Sequence, residues 1–300
     1  MSDVITKKRR KIAAKRPVRG RSRAETLSPT AAVAIATSAK KSIKERVAAM
    51  ARVGPAVCEK DNKLQAILKI LRDTNEPTPV RLAALQALQA ASFAAVQFES
   101  CRPDYLATLR AVATDSDAEI RQRVLGILAR RKDGFAQQRL LEGLQQPEKA
   151  LVPPEKALQL LGYDLHAEAY PIARALVNNP PSEAVKREAL RLLAADASSK
   201  PLFERILRDK DETKEIRQLS ASALQSIAPE TLQTHAREIV LDPRDYDDIQ
   251  ATSLTALTQF GSAAEVGQDK KLMKLVGSLK TAASSKLKQG ARHFLTKYSV

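Results

Sequence analysis

Three hundred residues with 44% hydrophobic content can bury a long core, and with 4% aromatic residues and no Trp that core must be built of Leu and Ala. The formal charge of +16 points to anionic contacts, whereas no apolar run approaches the about 20 residues that a membrane span needs. Two cysteines, Cys58 and Cys101, are too few for a disulfide framework and have no metal-ligand spacing, which favours a reducing compartment.

In chain order, residues 1–23 contain Lys7, Lys8, Arg9, Arg10 and Lys11, then five more cations against the single acid Asp3. Such a stretch has almost nothing to bury and is predicted to be a disordered arm. Residues 1–50 hold 14 basic residues against 3 acids, so most of the net charge sits there. An arm without aromatic rings attracts phosphates but cannot read bases, so it suits nonspecific nucleic-acid contact, an anionic surface, a nuclear-import address, or simple solubilisation. The stretch AAVAIATSA at 31–39 is too Ala-rich and too far from the start for a signal h-region, and reads as a flexible or weakly helical connector. Residues 1–40 are therefore taken as arm and linker. Ile43, Val47, Met50 and Ala51 form a stripe ending at Gly54-Pro55, so 41–56 reads as a capping helix or half repeat, with Ile43-Lys44 in the register described next.

From residue 57 to 300 one pattern recurs. In AVKREALRLLAAD (184–196), Val185, Ala189, Leu192 and Leu193 line one face of a helix. The apolar-basic pair that opens this pattern returns with Arg81, Arg121, Pro154, Lys186, Arg217, Gln250 and Lys288 at the second position, in steps of 40, 33, 32, 31, 33 and 38 residues. Each such helix follows another amphipathic segment, from KLQAILKILRD (63–73) to KKLMKLVGSL (270–279). Asp73, Asn178, Asp209 and Asp242 stand eight residues before the marker, so the turn chemistry repeats too. Helix, turn, helix, seven times over, is the spacing of a solenoid.

On these residues the chain resembles the HEAT-repeat family, most closely from Asp73 to Leu88 and from Asp209 to Leu224, over about residues 61–298. The resemblance implies an all-α, right-handed solenoid of about seven HEAT-like helix-turn-helix repeats, serving no one function. Pro153 and Pro154 depart from it, suiting a helix start while removing the basic side chain.

Two readings of the basic column stand side by side. Arg81, Arg121, Lys186, Arg217 and Lys288 could form a ladder for phosphates or an acidic partner, or they could contact the turn acids Asp73, Asp117, Asp209 and Asp242 within the fold. Asp242, Asp245, Asp247 and Asp248 gather in one loop but lack a calcium-loop frame, and they suit capping. Residues 251–300 form a second basic region, with 8 cations against 2 acids.

Little here suggests catalysis. His166, His235 and His293 fall in separate repeats, and there is no nucleophile elbow, Walker loop or H-E-x-x-H. HEAT-like DNA glycosylases and phycobilin lyases are built of similar repeats. The first rely on Trp-lined clefts absent here, and no residue here singles out a chromophore site. The sequence thus predicts a noncatalytic scaffold, without cofactor or metal, that holds another protein on its second-helix surface. The alternative is a nucleic-acid-associated protein gripping phosphates with its arm and C-terminal helices, with a phycobilin lyase-like enzyme as a minor one. The expected setting is soluble and intracellular, cytoplasmic, or nuclear in a eukaryotic cell.

Overall fold

A computed structural model describes residues 27–54, 57–58, 61–164, 167–281 and 284–298. Among these every regular element is helical, and no helix is long and apolar enough to cross a membrane. The chain divides into two compact units, one ending at Cys101 and the other starting at Arg102.

The first unit holds α1 (Pro29–Ala36), α2 (Ile43–Met50), α3 (Asp61–Arg72), α4 (Thr78–Ala91) and the short α5 (Ala95–Phe98). Helix α1 packs on α2 and α3 on α4, while α2 lies against α4 and α1 against α3. Where a flexible or weakly helical connector is expected, Pro29–Ala36 form a packed helix. Ser28 caps α1, Pro29 starts it, and Ala32, Val33 and Ala36 are buried, which makes an additional helix pair ahead of the seven expected.

Helix α2 begins at a capping box in which Ser42 and Glu45 satisfy one another's backbone amides. The Ser42 N–H bond holds the Glu45 carboxyl down at about 2. The helix is rotated from its expected stripe: Ile43 is 47% exposed, and Arg46, Ala49 and Met50 face inward. Gly54 then ends the segment at φ +56°, a left-handed conformation that glycine adopts without strain.

Cys58 and Cys101 are joined as a disulfide, with Cα atoms 6.1 Å apart and a sequence separation of 43. Closing a loop of that length removes about 4 kcal/mol of conformational freedom from the unfolded chain. This corrects the reading of the two cysteines, whose spacing showed no partner because helix packing alone brings them together. With the pair bonded, cysteine usage no longer argues for a reducing compartment.

The second unit repeats one motif six times. Its first helices are α6 (Arg102–Val112), α8 (Gly134–Gln145), α10 (Ala169–Asn178), α12 (Lys200–Arg208), α14 (Pro229–Leu241) and α17 (Lys270–Leu279). Each packs on the second helix that completes its pair: α7 (Ala118–Arg130), α9 (Pro154–Leu161), α11 (Glu183–Leu193), α13 (Lys214–Ile227), α15 (Asp247–Phe260) and α18 (Ser285–Tyr298). The second helices also stack on one another in order, α7 on α9 through to α15 on α18, forming one layer. This is the all-α, HEAT-like arrangement of helix pairs that the 31–40-residue spacing implies.

Departures from even spacing have visible causes. The 40-residue step between Arg81 and Arg121 contains α5, and the 38-residue step between Gln250 and Lys288 contains α16 (Ala263–Gln268). Pro154 opens α9 at its first turn, where a missing N–H costs nothing. At the end of α15, Gly261 is required by packing. A Cβ there would stand 2.4 Å from the Leu257 carbonyl oxygen and 2.8 Å from the Tyr298 hydroxyl. That hydroxyl donates to the carbonyls of Leu257 and Gly261, locking α18 onto α15 over Leu254, Leu287 and Phe294.

Candidate inner-face binding site

The marker column resolves into an inward-facing clamp. Arg81 is 2% exposed and donates through Nε and Nη2 to the Leu71 carbonyl, ten residues upstream. Arg217 does the same to Leu207 and Gln250 to Val240, while Arg46, not Lys44, holds the position on α2 and donates to Ala36. Each of these carbonyls lies at the end of the preceding helix, where the backbone leaves acceptors without intrahelical partners. The column thus fastens the C-terminus of a first helix to its own second helix.

The same side chains also reach forward. Arg46 pairs with Glu76, Arg121 donates to the Leu151 carbonyl, Lys186 pairs with Glu212, and Arg217 meets Asp245 in a two-pronged bridge at 2.8 Å. The Arg217 and Asp245 side chains are 3% and 2% exposed. These cations are committed to intramolecular partners, so they do not form an outward ladder for phosphates. Lys288 differs, being half-buried with no ion pair among the described residues. Lys7, Lys8, Arg9, Arg10 and Lys11 lie outside the described residues, as does His166.

For Arg217 the proposed role of the turn acids needs correction. Asp73, Asp209 and Asp242 each accept the backbone N–H two residues on, closing the turn, and Asp117 caps α7. Arg217 is neutralised instead by an acid of the following repeat. The geometry favours this because the turn carboxylate is turned back onto its own loop. In the 241–248 loop, Lys210 bonds Asp242 and Lys214 bonds Asp248, holding both carboxyls below the usual Asp range. With Asp245 on Arg217, three of the four acids that resembled a cation site are already paired, and the described residues contain no cluster suited to a metal.

A different surface is left uncommitted. On the side of the second-helix layer away from the first helices, the inner face, a cleft of about 330 Å³ crosses α13, α15 and α18. Gln218, Gln225, Thr252, Thr255, Gln289 and His293 line it. The hydroxyls of Thr252 and Thr255 donate back to the carbonyls four residues earlier, so they present methyls and lone pairs. Gln218 donates to Thr252 at 2.8 Å, yet its Oε1 is buried without a hydrogen-bond partner. Gln289 and His293 are exposed, with no hydrogen bond or ion pair among the described residues. Charge enters only at one end, where Lys286 stands 3.4 Å from Asp248.

Sequence reasoning missed this surface because Gln and Thr raised no charge signal. The clue was the neutral run QLSASALQSI followed one repeat later by QATSLTALTQ. His235, by contrast, sits in the first-helix layer and contacts Glu204 at 2.7 Å, away from His293. A larger depression of about 960 Å³ along α8, reaching Ala167 and Glu168, carries Arg139 and Glu142, which pair with each other.

No family model matches the sequence, and no curated protein matches it. Among solved structures, the chain is similar to an engineered protein, at 16% identity over 91% of this chain and 89% of that one, with a TM-score of 0.44. It is also similar to the complex of CpcE and CpcF of phycocyanin lyase from Nostoc sp. PCC7120, at 17% identity over 88% and 98% of the two chains, with a TM-score of 0.39. Human deoxyhypusine hydroxylase in complex with glycerol follows at 14% identity over 81% and 98%, with a TM-score of 0.34. Identities this low, with TM-scores below 0.5, assign the chain to none of them.

Proposed function

We propose that this protein is a noncatalytic scaffold that holds another protein on the inner face of its second helices. One observation carries the reading: across α13, α15 and α18 the polar side chains Gln218, Gln289 and His293 retain hydrogen-bonding capacity that the fold itself does not use. Gln289 and His293 are exposed on the wall of the cleft, where an incoming partner can use their polar groups. The test is affinity purification with mass spectrometry, with and without nuclease, comparing wild type with Thr255→Arg. A partner lost in the variant and retained after nuclease supports the scaffold; a partner set identical in both proteins refutes it.

A second reading keeps one observation of its own. Lys271, Lys274, Lys280 and Arg292 are exposed on the last helix pair and make no ion pair among the described residues. Nucleic-acid binding through them and the arm would be nonspecific and would weaken steeply with salt. Fluorescence anisotropy on a random duplex across a salt series checks it, and flat salt dependence would refute it.

A further inference from the structure

We infer that the face of α17 and α18 turned away from α14 and α15 is a docking surface for an acidic helical edge of another protein. This face is separate from the inner-face cleft, and its assignment does not depend on what the cleft holds.

Cations of the second unit reach forward. From the first helices, Arg110 meets Asp133, Arg174 meets Asp196 and Arg237 meets Asp269, each acid being a cap that opens the next repeat. From the second helices and the turns before them, Lys186 meets Glu212, Lys210 meets Asp242, Lys214 meets Asp248 and Arg217 meets Asp245. This pairing stops at α17 and α18, the last described pair. Residues 270–298 hold eight cations and no acid. Among the described residues, Lys270, Lys271, Lys274, Lys280, Lys288 and Arg292 make no ion pair. Lys286 turns back to within 3.4 Å of Asp248, which already bonds Lys214. Lys280 stands where other turns carry Asp73, Asp209 and Asp242, so the charge of that position is reversed.

Helical geometry gathers four of these cations on one side. A Cβ at Gly290 would lie 3.6 Å from the Leu254 Cβ, so that side of α18 faces α15. Lys288 and Arg292, two residues before and after it, point about 160° away at 3.6 residues per turn. On α17, Leu272 is buried and shares a depression with Thr234 and Arg237 of α14. Lys270 and Lys274 flank it at the same two-residue offset, again on the opposite side of the helix. Each helix thus carries two like charges four residues apart, an arrangement that repels itself unless an anion lies between them. Since α17 packs on α18, the two pairs form one patch.

The occupant follows from what such cations take elsewhere in the unit. Each takes a carboxylate presented by a loop or helix start of a repeat stacked alongside, at a helix spacing of about 8–10 Å. The acidic edge of a helical partner presents the same groups at the same spacing. A second copy of this chain does not: its residues 1–50 carry 14 cations against 3 acids, and its loop acids Asp242, Asp245 and Asp248 are already paired. A nucleic-acid strand fits less well, because a backbone is held by cations along its path, whereas these four lie within one turn of two adjacent helices.

The experiment is a phage-displayed library of two-helix hairpins with randomised edges, panned on the full chain at about 0.15 M salt. The counter-screen is the variant Lys270→Ala, Lys274→Ala, Lys288→Ala, Arg292→Ala. Enrichment of hairpins rich in Asp and Glu is expected, with their loss in the counter-screen. A synthetic copy of one should bind Lys274→Glu at least about tenfold more weakly, and should regain affinity when the carboxylate it lays against residue 274 becomes lysine. The melting temperature of the fourfold variant should stay within about 3 °C of wild type, since no buried contact is removed. Lys288 is half-buried, so Lys270→Ala with Lys274→Ala serves as the second variant should the fourfold one fold poorly.

Hairpins with no excess of acids, or acidic hairpins that bind the fourfold variant within about twofold of wild type, overturn the inference. A random DNA duplex that binds these four residues more tightly than the best hairpin at the same salt overturns it too. Thr255→Arg leaves this face intact and should not alter hairpin binding. Loss of the hairpins in that variant would move them to the inner cleft and sink the inference, while the scaffold reading stands or falls separately on the purification result.

Discussion

The loop edge of the α11–α15 repeats and the inner face of α13, α15 and α18 are built from the same helices and solve opposite problems. At the edge, charge is dense and closed: Lys186, Lys210, Lys214 and Arg217 each meet an acid of the next repeat. On the inner face, charge is sparse and hydrogen bonding is left open, down to a buried Gln218 oxygen with no donor. The contrast teaches that a high count of basic residues says little about binding here. The cations of this edge hold adjacent repeats in register.

The comparison breaks most sharply at Arg217 and Asp245. Asp245→Asn leaves a buried guanidinium without its counter-ion and is expected to cost about 3–5 kcal/mol in a urea melt. Arg217→Gln should cost nearly as much, and the double variant less than the sum, since the two act as one unit. Full additivity would show that the edge is not closed by this pair.

Gln250 makes the neutral version of the same clamp, donating to the Asp242 carbonyl at 2.7 Å. Gln250→Leu should therefore cost about 1 kcal/mol, the net worth of one ordinary hydrogen bond. A loss as large as that of Asp245→Asn would mean that position, not charge, governs the edge.

Acid titration sharpens the comparison further. Lys210, Lys214 and Arg237 hold the carboxyls of Asp242, Asp248 and Asp269 below their ordinary values. Groups lowered in the folded state contribute fully above the unfolded Asp value of about 3.9 and lose that contribution as pH falls through the lowered folded values. Thermal melts should thus hold their midpoint down to about pH 4 and decline below it, less steeply in Lys210→Ala. An equal decline in both proteins would remove this edge pair from the account.

The smallest stability effect belongs to the inner face. Thr255→Ala and Gln289→Ala touch no packing contact that the fold needs and should shift stability by less than about 0.5 kcal/mol, while Thr255→Arg removes the partner in the purification assay. Destabilisation by either alanine variant beyond 1 kcal/mol would make the face part of the framework, on the same scale.

Several of these roles were legible beforehand and others were hidden for definable reasons. Periodicity placed all seven second helices, from α4 to α18, because one buried stripe per helix leaves a mark at every third or fourth residue. The same arithmetic held the correct place of the marker: Arg81, Ala84, Leu85 and Leu88 fall at i, i+3, i+4 and i+7, a single face. The sequence left open whether the arginine serves a ligand or contacts within the fold, and burial is possible because carbonyls and a carboxylate can satisfy a guanidinium. On α2 the marker was placed two residues early, since Ile43-Lys44 imitates the apolar-basic pair and only packing reveals that Arg46 faces inward.

What the sequence determined by itself was therefore the local order: where helices start and stop, which face of each is apolar, and that the unit recurs about every 33 residues. Those properties depend on neighbours three or four positions apart along one chain. The tertiary structure decided everything that depends on which distant residues meet. It chose Asp245 over Asp209 for Arg217, joined Cys58 to Cys101 at a sequence separation of 43, and set Gln218 and Gln225 of α13 and Gln289 of α18 along one cleft. Side-chain charge and amide chemistry have no periodicity that announces a partner one repeat away. Only stacking helices at packing distance determines whether a polar group is spent inside the fold or left to bind.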